Sequence, residues 1–81
     1  MDKETTMIIL QQFFNECLRY WEHDLKVDSD TSKLAYQRAI DEIPHRYPYS
    51  PNGEEINPEW RDEFRVARLM DCYGKDWKKY A

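Results

Sequence analysis

Cys17 and Cys72 are the strongest nucleophiles in this 81-residue chain. A reactive thiol needs a stabilised thiolate and a base within reach. Cys17 lies in an apolar helical stripe between Phe13 and Trp21, where burial raises a thiol's pKa. Cys72 falls near the margin of a second stripe, with Arg68 one turn back and the negative end of a helix below it. Both are expected to be reduced packing residues. His23, in "WEHD", has Arg19, Tyr20, Lys26 and Val27 at its helical neighbours three and four positions away, and none is a good ligand partner for a metal. "DSDTS" opens like a calcium loop, with Asp28, Asp30 and Ser32 at alternate positions. The turn glycine is replaced by Lys33 and the bidentate acid by Ala39, so capping is the better reading. With two glycines there is no phosphate-cradling loop. These residues imply no catalytic site, no metal and no cofactor, and the chain is not expected to be an enzyme.

Two other groups of residues suit recognition. Arg61, Arg65 and Arg68 are spaced to fall within an arc of roughly 60° on one helix. The ridge continues loosely into Lys75, Lys78 and Lys79, interleaved with Trp77 and Tyr80. Arginine forks bind carboxylates and phosphates, and aromatic rings stack on bases. The plain reading is a solvated face paired with Asp62 and Asp71. A carboxylate-bearing protein partner and a nucleic acid are the alternatives. The second group is "HRYPY", where His45, Arg46, Tyr47 and Tyr49 have no capping or turning task. Either they pack on their own bundle or they meet a partner. Pro48 and Pro51 also sketch a P-x-x-P ligand, a pattern common by chance.

The elements that carry these groups read as three helices. The first is expected over residues 5–26, capped by Thr5 or Thr6. Its apolar positions, among them Leu10, Phe14, Cys17 and Trp21, fill an arc of roughly 180°, wider than the ~100° stripe a surface helix needs. That width implies either a central helix packed on two sides or a face that meets another chain. The second helix is expected over 31–43, with its N-cap at Asp30 or Ser29, a narrow stripe of Tyr36, Ala39, Ile40 and Ile43, and Ala35 at its margin. Pro44 disfavours helical geometry in the residue before it and should end the helix. The third is expected over 58–73, opened by Asn57 and Pro58 and closed by Gly74. Trp60, Phe64, Ala67 and Met70 form its main stripe, with Leu69 at the margin. Residues 75–81 make a last turn or a tail. The connection 44–57 is long for a bundle; "SPNG" suits a turn within it, and a short hairpin at "YSPNGEE" is an alternative.

These elements predict a single all-α domain, a small three-helix bundle with a Pro/Tyr-rich connection between helices two and three. The expected core is Leu10, Phe14, Cys17, Trp21, Tyr36, Ile40, Trp60, Phe64, Ala67 and Met70. Large rings suit so small a core: 15% of the residues are aromatic. The net charge of −4 disfavours general attraction to nucleic acid or anionic lipid. Its excess lies in residues 1–42, with 5 basic against 9 acidic side chains; residues 43–81 carry 7 of each. The opening residues lack a signal peptide's pattern and no apolar run is long enough to span a membrane, so a cytoplasmic location is expected. Short, acidic, helical and without catalytic equipment, the chain suits an accessory protein of the kind bacteria, phages and mobile elements carry. The expected function is a protein-interaction module, an inhibitor or adaptor that docks on a larger bacterial protein or self-associates. A nucleic-acid-binding regulator using the arginine ridge is the alternative, and an accessory subunit of an enzyme a more distant one.

Overall fold

The computed structural model describes residues 1–26 and 32–81. Three helices, α1 (Lys3–Asp24), α2 (Ser32–Arg46) and α3 (Pro58–Tyr73), form an all-α bundle closed by a 3₁₀ segment, Gly74–Tyr80. Among the described residues the only β pairing is an isolated antiparallel bridge between Tyr49 and Glu55.

Helix α1 starts two residues earlier than expected because Asp2, not a threonine, is its cap. The Asp2 carboxylate accepts from the Thr5 N–H at 2.7 Å, and these Thr5 bonds hold its pKa below the ordinary value. Thr6 is buried and donates its hydroxyl to the Asp2 carbonyl at 2.7 Å. The broad apolar arc of α1 is accounted for by packing on two sides, against both α2 and α3. Leu10 and Phe14 are fully buried at its centre, while Met7, Ile9, Phe13, Cys17, Leu18 and Trp21 pack around them half-buried. Phe14 meets the Tyr36 ring edge-on at 5.0 Å and the Phe64 ring at 6.0 Å, so one side chain touches all three helices.

Helix α2 approaches closely through small residues, and Ala35, expected at the margin, is as fully buried as Ala39. The N-cap expected at Asp30 or Ser29 lies outside the described residues. The end differs from expectation: α2 runs through Pro44 to Arg46. Proline removes one N–H donor, and its neighbour's preference is a local bias of the kind tertiary packing overrides. Here Ile43 is fully buried, Glu42 pairs with Arg46 at 3.5 Å, and Tyr47 is buried just beyond them, while the proline itself stays exposed.

The connection therefore spans 47–57 and reverses by the expected turn. Gly53, at a φ of 87°, donates its N–H to the Ser50 carbonyl at 3.0 Å with Pro51 and Asn52 between them. Ser50 N–H bonds to Glu54 and Ile56 N–H to Pro48, which returns the fully buried Ile56 to the core. Asn57 caps α3 through its side-chain oxygen, which accepts from the Glu59 N–H at 2.9 Å, and Pro58 takes the first helical position. At the other end Gly74, with a φ of 59°, donates to the Met70 carbonyl.

The buried face of α3 is not the one its apolar residues mark. Phe64 and Leu69 are the buried pair, Trp60 and Ala67 are only half-buried, and Met70 is 48% exposed. Phe64 and Leu69 stand roughly 140° apart on a helix wheel, and Arg61, Arg65 and Arg68 fall between them. The helix is turned toward its arginines because long basic side chains cover apolar surface with their stems and keep the charged head at the edge. Leu69→Ala is therefore expected to cost about 2–5 kcal/mol, and Met70→Ala less than about 0.5 kcal/mol. Urea unfolding of both variants checks the orientation; the opposite ranking would restore the face marked by Met70.

Candidate functional site

The residues singled out for recognition are drawn apart by the fold. Tyr47 turns inward, 6% exposed. Its ring stacks on Phe13 at 5.2 Å and its hydroxyl donates to the Phe13 carbonyl at 3.2 Å. Burial, and then the neighbouring Cys17, raise its pKa well above the ordinary tyrosine value. His45, Arg46 and Tyr49 remain exposed. Trp77 is half-buried against the core, and Tyr80 stacks flat on Tyr73 at 3.7 Å.

The arginine ridge divides between two seams, Arg68 against α1 and Arg61 and Arg65 against the end of α2, and its three side chains are each half-buried. Arg65 pairs with Asp62 at 3.3 Å. Arg68 pairs with Asp71 at 2.9 Å, donates to the Gln11 side chain at 2.9 Å and lies 5.1 Å from the centre of the Phe64 ring. Its Nε is buried without a partner among the described residues. Arg61 lines a shallow depression with Pro44 and Pro58. Two of the three guanidinium groups are thus already occupied within the bundle.

A cleft of about 370 Å³ lies where α1 meets the last turn of α2, and Phe13, Glu16, Cys17, Tyr20, Glu42, Arg46 and Tyr47 line it. The four α1 residues follow helical spacing along one edge of the apolar arc. Tyr20, at the rim, is 60% exposed. Glu42 and Arg46 face each other one turn apart, and Tyr47 follows at the helix end. The Cys17 thiol donates to the Glu42 carboxylate. Burial, and then this carboxylate, hold the thiol above its ordinary pKa. Glu16 is exposed and its side chain makes no hydrogen bond or ion pair among the described residues. The arrangement offers aromatic walls, a neutral thiol and carboxylates, which suits binding of a side chain.

Sequence reasoning found Arg46, Tyr47 and Cys17 but assigned them separate tasks, and it did not single out Glu16, Tyr20 or Glu42 as site residues. The available signal was the i,i+4 pair Glu42–Arg46 spanning Pro44, which favours a continued helix. Among the described residues, no group of three or more His, Cys, Asp or Glu side chains is placed to hold a metal, and no helix is long and apolar enough to cross a membrane. No protein-family model, curated protein or solved structure matches the chain.

The pairing of Arg68 has a measurable consequence. Arg68→Ala is expected to cost about 1–2 kcal/mol, because it bares the Phe64 ring and strands Gln11. Arg68→Met keeps the apolar stem and is expected to recover most of the loss. Denaturant midpoints of both variants check this, and an unchanged Arg68→Ala midpoint would mean that the ridge is merely solvated.

Proposed function

We propose that the chain is a small protein-interaction module that docks a partner at the cleft between α1 and the end of α2. The observation that carries this reading is the cleft itself, walled by Phe13, Tyr20 and Tyr47 with Tyr20 largely uncovered at its rim. Aromatic rings beside an open depression are the usual anchors of a protein interface. The rest of the broad α1 arc is used inside the bundle, which leaves this margin as the surface for another chain. A small acidic helical protein of this kind fits an inhibitor or adaptor acting on a larger bacterial protein, and its origin in a phage or mobile element belongs to the same proposal.

The competing reading, a nucleic-acid-binding regulator, is weaker because Arg65 and Arg68 are engaged within the bundle. It would rest on Arg61 and on the exposed Lys75, Lys78 and Lys79 of the C-terminal segment, where Lys79 stands 3.6 Å from Asp76. A photo-crosslinking residue placed at Tyr20, with a second at Tyr80 as control, separates the two in bacterial cells expressing the chain. The expected result is a protein adduct from position 20 that position 80 does not give. Adducts to nucleic acid from position 80, with none to protein from position 20, would overturn the proposal.

A further inference from the structure

The cleft also specifies the chemistry of what enters it, and this inference rests on the reading of the cleft as a docking site. We infer that its occupant is a basic side chain, a lysine or arginine carried by the partner. The volume, about 370 Å³, is at the lower end of the ~300–1,000 Å³ range of ligand clefts. It is ample for one long side chain. Three of its seven lining residues, Phe13, Tyr20 and Tyr47, carry rings; Phe13 and Tyr47 stack on each other, and the exposed Tyr20 ring offers a face that can attract a cation. The charged residues of the lining are Glu16, Glu42 and Arg46, two carboxylates against one guanidinium.

The single cation already faces one of these carboxylates, with its side chain 69% exposed toward solvent. Arg46 Nε stands 3.5 Å from Glu42 Oε1, while Glu42 Oε2 accepts from the Cys17 thiol. Each carboxylate oxygen keeps a second lone pair for an incoming donor. The Glu16 side chain has no partner among the described residues and is available outright. An anionic occupant would have to sit between two carboxylates. A neutral aliphatic one would cover Glu16 and Glu42 without replacing the water they lose, which is unfavourable. A long cationic side chain instead lays its methylenes on the rings and brings its charge to the carboxylates. The wider field agrees, since residues 1–42 carry the chain's whole negative excess.

The test is a titration of the intact, isotopically labelled chain with four capped amino acids, N-acetyl-arginine amide, N-acetyl-lysine amide, N-acetyl-norleucine amide and N-acetyl-glutamate amide, followed by amide chemical shifts. The two basic probes are expected to shift the amides of Phe13, Cys17, Tyr20, Arg46 and Tyr47, at least tenfold more tightly than norleucine. Glu16→Gln, a change at an exposed position, is expected to weaken them about two- to fivefold, the size of an exposed ion pair. Equal binding of the norleucine probe, preference for the glutamate probe, or no shifts in the cleft overturns the inference. A protein adduct at position 20 without any preference for basic probes would sink this inference and leave the docking reading standing. Selective binding of the basic probes without a protein adduct would sink the docking reading and leave only the cleft's preference for a basic group.

Discussion

The burial of one tyrosine ring at the end of α2 governs how this bundle closes. Tyr47 stacks on Phe13 and gives its hydroxyl to the Phe13 carbonyl, which fixes the end of α2 against the middle of α1. From that fixed point the chain reverses through the Ser50–Gly53 turn and returns Ile56 to the core, one residue before Asn57 caps α3. Without the tyrosine, the continuation of α2 past Pro44 would have little to hold it, because a proline costs the helix a donor and biases its neighbour away from helical geometry. In a domain of this size a single large ring is a substantial part of the core. A long connection is therefore compatible with a small bundle: it is short in effect, pinned at Tyr47 and at Ile56.

The same anchor forms the cleft. Tyr47 is both a wall and the reason Arg46 and Glu42 stand opposite Cys17 and Tyr20. The site is thus a by-product of closure, built from residues that hold the fold and from margin residues that the fold does not use. Glu16 and Tyr20 belong to the second kind. They are exposed, they cap nothing, and they line the cleft beside buried neighbours.

How much of this was legible in the sequence follows from the range of the interactions involved. The three helices, the Asn57–Pro58 start, the Gly74 end and the Ser50–Gly53 turn are set by neighbours within a few residues, and they were readable. The continuation through Pro44 had only the Glu42–Arg46 pair as a local signal, and the contact that secures it comes from Phe13, more than thirty positions away. The orientation of α3 was misjudged for a related reason. Apolar periodicity marks Trp60, Phe64, Ala67 and Met70 as one face, but it treats arginine as polar throughout. Arg68 shows the flaw: its guanidinium lies over the Phe64 ring while it pairs with Asp71 and Gln11. The cleft was legible only as separate residues, since its walls come from α1, α2 and the residue after α2, and no local spacing joins them.

The central claim, that a buried, protonated Tyr47 secures the closure, is tested most directly by stability as a function of pH in the parent and in Tyr47→Phe. In the unfolded chain tyrosine titrates near ~10. In the folded chain burial raises the Tyr47 pKa above that. The folded state then holds the proton that the unfolded state loses, so the contribution of Tyr47 is level below about pH 10 and falls as pH rises beyond it. Cys17, Tyr36 and Tyr73 are also raised and contribute to the fall in both proteins, so the difference between the two reports Tyr47 together with its effect on the neighbouring Cys17. The expected result is a steeper alkaline loss in the parent than in Tyr47→Phe. Equal slopes would contradict the account, because they would place the Tyr47 hydroxyl in water.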